Sequence, residues 1–106
     1  MPKYMIQASY TAEGLKGLQK EGGSGRMNAI KALFKAAGGK LEATYWALGD
    51  YDAIVIGDLP DTVTASALAT AVCASGLVRT KTTVLLSAED MDAAMKKSVT
   101  YRAPGK

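Results

Sequence analysis

Apolar and polar residues alternate from Lys3 to Tyr10, with Tyr4, Ile6, Ala8 and Tyr10 on one face and Met5, Gln7 and Ser9 on the other. A period of two predicts a strand with one buried face. Thr11 stands before Ala12-Glu13-Gly14-Leu15 as an N-cap with an acid in the first turn, and Leu15 and Leu18 predict a short helical piece. Gly22-Gly23-Ser24-Gly25 ends that piece. Beyond it Met27, Ile30, Leu33, Phe34 and Ala37 form the stripe of an amphipathic helix, with Lys31 and Lys35 outside and Gly38 and Gly39 at its end.

Two strand-like runs follow. In Lys40 to Leu48, Leu41, Ala43, Tyr45 and Ala47 face away from Glu42, Thr44, Trp46 and Leu48, while Asp52 to Leu59 carries Ile54, Val55 and Ile56. Only Gly49-Asp50-Tyr51 separates them, so a hairpin is expected. Pro60, with Asp61 or Thr62, opens a helix whose apolar positions are Ala65, Leu68, Ala69, Val72 and Cys73. Ala67, Ala71 and Ala74 leave it almost no charged face, which predicts cover on more than one side and hence an oligomer contact. Arg79 to Ser87 reads as a fourth strand, and Ala88-Glu89-Asp90 starts a short helix with Lys96 and Lys97 in its last turn.

The order β-α-β-β-α-β plus a terminal helix is the ferredoxin-like pattern, an α+β fold with a four-stranded antiparallel sheet and its helices on one face. With Tyr4, Ile6 and Ala8 under the helices, Met5, Gln7, Ser9, Thr44, Trp46 and part of Lys81, Thr83 and Leu85 are expected on the open face. Such a mixed face with a large ring on it marks an interface or a binding site. A homodimer or higher homo-oligomer, its sheets closing toward each other, is therefore expected.

A chain of 106 residues is long enough for one domain with its own core, expected over residues 1–97, with 98–106 as a flexible basic tail. The formal charge is +3, but residues 96–106 alone carry +4 and no acid, leaving the first 95 residues at −1. The basic character belongs to the tail. The lone thiol Cys73 can make no internal disulfide, and the absence of His removes Cys/His zinc sets, Ser/His and Cys/His pairs, and a His-ligated haem. No cofactor is called for. No run is apolar and long enough to span a bilayer and no signal-peptide core opens the chain, so no membrane association and a cytoplasmic location are expected.

Tyr10-Thr11-Ala12-Glu13-Gly14, Arg26 at a helix start, Gly38-Gly39-Lys40-Leu41, the run Tyr45 to Asp52, Leu59-Pro60-Asp61 and Val78 to Thr82 together resemble the GYD domain family. These are small bacterial and archaeal proteins related in fold to dimeric α+β barrels. Gly49-Asp50-Tyr51-Asp52 matches the name-giving motif, and Gly22-Gly23-Ser24-Gly25 departs from the family pattern. The resemblance implies a ferredoxin-like fold and self-association, without an established activity.

Candidate ligand-binding residues are Tyr10, Arg26, Tyr45, Trp46, Asp50, Tyr51, Asp52 and Arg79. Each has a plain alternative. Gly49 to Asp52 suits a tight hairpin, or it forms a polar rim around a pocket held by the rigid sheet. Arg26 and Arg79 are surface charges, or they jointly grip a carboxylate or phosphate. Tyr10, Tyr45, Trp46 and Tyr51 are core or interface aromatics, or they line a small-molecule pocket. No catalytic residue is assigned.

The expected function is a small homo-oligomeric binding or sensory module with its pocket between sheet and helices or at the subunit interface. The alternative is a cofactor-free oxygenase, isomerase or cyclase of the dimeric α+β barrel type acting on an apolar carbonyl compound. There Tyr45 or Tyr10 would donate to an oxyanion, and Glu13 or Asp52 would take a proton. Asp52 to Asp58 offers none of the exposed aromatics that RNA-binding sheets use, so no nucleic acid is expected on the body. The three-residue turn is also too short for a nitrogen-regulator-like role.

Overall fold

A computed structural model describes residues 1–106. Its elements are β1 (Lys3–Tyr10), α1 (Ala12–Ala36), β2 (Lys40–Trp46), β3 (Ala53–Asp58), α2 (Thr62–Ala74), β4 (Val78–Leu85) and α3 (Ala88–Met95). The strands form one antiparallel sheet ordered β2-β3-β1-β4, the ferredoxin-like arrangement expected from element order. Tyr4 and Ile6 of β1 and Val55 of β3 share a buried cluster with Phe34 of α1 and Ala65 and Leu68 of α2, which puts both helices on one face. α1 packs along β2 and α2 along β4.

Each helix starts on a side chain that accepts an otherwise orphaned N–H. Thr11 caps α1 through Gly14 N–H, Asp61 caps α2 through Thr64 N–H, and Ser87 with Asp90 forms a reciprocal box on α3. α3 ends at Met95, one residue short of the two lysines expected in its last turn.

Two expectations need correction. The four-residue break after Glu21 shrinks to Gly22 alone (φ 79°, ψ 163°), and Gly23, Ser24 and Gly25 continue as helix. One positive-φ residue is enough to redirect the chain, and glycine adopts that conformation without a Cβ clash. Gly23 serves a different purpose, because a Cβ there would sit 3.1 Å from Trp46 Nε1.

The second correction concerns β2. A bulge between Leu41 and Ala43 shifts its register, so that Ala43 pairs with Ile56, Thr44 with Val55, Tyr45 with Ile54 and Trp46 with Ala53. Val55 and Ala53 are buried under the helices, so Thr44 and Trp46 lie on the helix face and Tyr45 on the open one. This is the reverse of the simple alternation. Both hairpin strands are also shorter than expected, ending at Trp46 and resuming at Ala53.

On the open face Lys3 reaches across strands to Glu42 and to Asp58, the latter at 3.2 Å. Met5, Ile54 and Ile56 lie half-buried beside exposed Tyr45. No helix is long and apolar enough to cross a membrane.

Candidate functional site

α1 and α2 follow opposite edges of the sheet and leave a gap over the end of β1. There a cleft of about 410 Å³ has its floor on Ile6, Ala8 and Val55, with Leu18, Ile30 and Leu33 of α1 on one wall. Leu68 and Val72 of α2, with Leu77 and Val78, form the other. Its volume falls within the roughly 300–1,000 Å³ typical of small-molecule sites.

The lining is apolar apart from two neutral hydroxyl residues, Ser75 and Thr80, and a polar group at one end: Tyr10, Glu21 and Arg26. Ser75 is satisfied, donating to the Val72 carbonyl (2.7 Å) and accepting from Leu77 N–H (3.2 Å). Thr80 Oγ1 lies 3.4 Å from Cys73 Sγ. That contact, reinforced by the charge of Arg79 and opposed by burial, holds the Cys73 thiol below its ordinary value.

Arg26 Nη1 stands 3.5 Å from Glu21 Oε1, with the two side chains 35% and 37% exposed. An ion pair so long and so exposed contributes about 0–1 kcal/mol. Most of the guanidinium's five N–H donors remain free of it. Tyr10 is half-buried, and burial raises its hydroxyl pKa; nearby Arg26 offsets part of that rise, while Glu21 and Asp52 add to it. Tyr10 is therefore a neutral hydrogen-bond donor at ordinary pH.

Tyr10 is held from two sides. Its N–H donates to Asp52 Oδ2 at 2.8 Å, and its ring lies 6.2 Å from that of Trp46 at a 33° tilt. Asp52 also donates its N–H to Ala8 O and accepts Ala47 N–H on its carbonyl, both at 2.8 Å. Gly49 has φ 143°, and the Asp50 carbonyl accepts from Ser9 Oγ at 2.8 Å. The Gly49-Asp50-Tyr51-Asp52 segment thus clamps the hairpin connection to the end of β1. It reaches the cleft only through Tyr10.

Of the expected site residues, Tyr10 and Arg26 line the cleft, while Asp52 and Trp46 support Tyr10 from outside it. Asp50 is exposed and Tyr51 half-buried in the connection, and neither lines the cleft. Tyr45 is 63% exposed on the open face. Arg79 pairs in register with Ser9, on the side of β4 away from Thr80, so the two arginines do not converge on one ligand. Glu13, at the start of α1, pairs with Lys16 (3.3 Å) and does not line the cleft. Nowhere do three His, Cys, Asp or Glu side chains gather as a metal site.

Glu21 is the residue that sequence reasoning missed. It stands five positions before Arg26, a spacing that puts no two residues on one face of a regular helix, and only the turn at Gly22 brings them together.

The family model for the GYD domain matches residues 4–95, and the chain belongs to that family. No curated protein and no solved structure matches it.

Proposed function

We propose that this GYD-domain protein is a small homo-oligomeric binding module that takes an apolar small molecule into the cleft between α1, α2 and the sheet. The observation that carries this reading is the cleft itself, apolar through its depth and polar at the end where Tyr10, Glu21 and Arg26 meet. Binding is favoured over turnover because its one carboxylate, Glu21, already faces a cation.

Self-association is supported by surface area. The accessible surface is 7471 Å², whereas a folded monomer of 11.1 kDa has about 5,700 Å². The excess, roughly 1,800 Å², is shared between the open sheet face and the almost wholly exposed α3 and the chain after it, against the approximately 800 Å² that each partner contributes to a standard interface.

The binding reading is tested by adding apolar fragments to methyl-labelled protein and following its NMR spectrum. Shifts are expected at Ile30, Leu33 and Val72, and none at Ile54 and Ile56 on the open face. A spectrum unchanged by every fragment would remove the reading. Light scattering checks the second part, with a mass of at least twice 11.1 kDa expected.

A further inference from the structure

We propose that the ligand of the cleft is an apolar monocarboxylate, an acyl or aryl acid whose tail fills the space under α1 and α2 and whose head takes the edge of Arg26 that Glu21 leaves open. This rests on the cleft being a binding site and adds the charge and class of its occupant.

Three observations select an anion. Arg26 is the only cation in the lining, and its sole ionic partner, at 3.5 Å, is beyond normal hydrogen-bond length. Beside it the Tyr10 hydroxyl is a neutral donor suited to the second oxygen of a carboxylate. The other nearby carboxylate, Asp52, already accepts Tyr10 N–H and does not compete for Arg26.

Glu21 is the chain's own carboxylate in the place of the ligand's. It is more than a third exposed and adjoins Gly22, around which a Cβ would meet open space, so it can turn out to solvent when a ligand enters. A neutral alcohol would gain the same apolar burial without the charge-assisted bonds. A quaternary ammonium would meet Arg26 unfavourably.

The experiment is calorimetric titration of the full chain with decanoate, 1-decanol and decyltrimethylammonium, followed in parallel by fluorescence of Trp46, the sole tryptophan, which packs on Tyr10. Decanoate is expected to bind about tenfold tighter than decanol, the effect of one charge-assisted hydrogen bond, and the ammonium most weakly. Arg26→Gln should bring decanoate down to the affinity of decanol while leaving decanol unchanged. Glu21→Gln should strengthen decanoate severalfold by removing the internal competitor.

Equal binding of decanoate and decanol by the unaltered protein overturns the carboxylate assignment and leaves the cleft as a site. Failure of both to bind overturns the cleft reading as well. If Arg26→Gln does not fold, the ligand series on the unaltered chain and the Glu21→Gln titration still decide. An unchanged decanoate affinity in Glu21→Gln counts against the proposal.

Discussion

Asp52 shows how a motif residue acts at one remove from the cleft. Its carboxylate accepts the Tyr10 N–H and its backbone joins Ala8 and Ala47, so one residue fixes where β1 stops and how the Tyr10 ring is presented. Asp52→Ala should cost about 1.5–3 kcal/mol, the range for a hydrogen bond to a charged group, measured by urea unfolding. It should also shift Trp46 emission, because the Tyr10 ring against which Trp46 packs loses its anchor. Asp52→Asn keeps an acceptor and should retain most of the stability. The placement of Tyr10 at a pocket and of Asp52 in the hairpin connection was legible in the sequence as aromatic and turn chemistry. The role of Glu21 was not, since its meeting with Arg26 depends on a single backbone angle at Gly22.

At the scale of elements, alternation and helical spacing located the four strands, α2 and α3 in their order, and gave α1 as two pieces parted where Gly22 alone breaks it. They failed where one residue is out of phase. The bulge after Leu41 puts two β2 residues where one would stand and exchanges Trp46 and Tyr45 between the faces, a change that a period-two reading cannot register. Capping gives α2 a definite pH response. The Asp61 carboxylate accepts Thr64 N–H at 2.7 Å, and this bond together with one from the Thr64 side chain holds its pKa below the ordinary carboxylate range; α2 has no other acid in its first turn. A lowered folded-state pKa means the cap's contribution is present above the unfolded carboxyl value, near 3.9, and is lost as pH falls through and below it. Thermal melts from pH 6 to pH 3 should therefore show a shallower loss in Asp61→Asn, which caps without titrating, than in the unaltered protein. Equal slopes would show that Asp61 does not couple to folding.

The whole molecule is extended for its size. Its radius of gyration is 16.7 Å over extents of 55 × 33 × 23 Å, against about 13 Å for a compact chain of this length. Only eleven of 106 residues are buried, and α3 contributes none of them. Two apolar surfaces are open to solvent: the sheet face, where half-buried Met5, Ile54 and Ile56 surround exposed Tyr45, and the segment bearing exposed Met91, Met95, Val99 and Tyr101. The first lies on the two central strands of the sheet, β1 and β3, and their neighbour β2, whereas the second continues into residues 96–106 with their charge of +4. The proposed self-association is therefore expected at the sheet face, and any salt-sensitive contact with anions at the tail. Ile56→Asp puts a charge in the middle of that face, opposite Met5 and Ala43, without entering the core beneath the helices. It should lower the mass in light scattering to 11.1 kDa with the circular dichroism spectrum preserved. A chain ending at residue 97 should keep both the mass and the melting temperature of the full chain, and lose any retention on heparin. An Ile56→Asp protein that remains oligomeric while the shortened chain falls to a monomer would move the interface from the sheet to the tail.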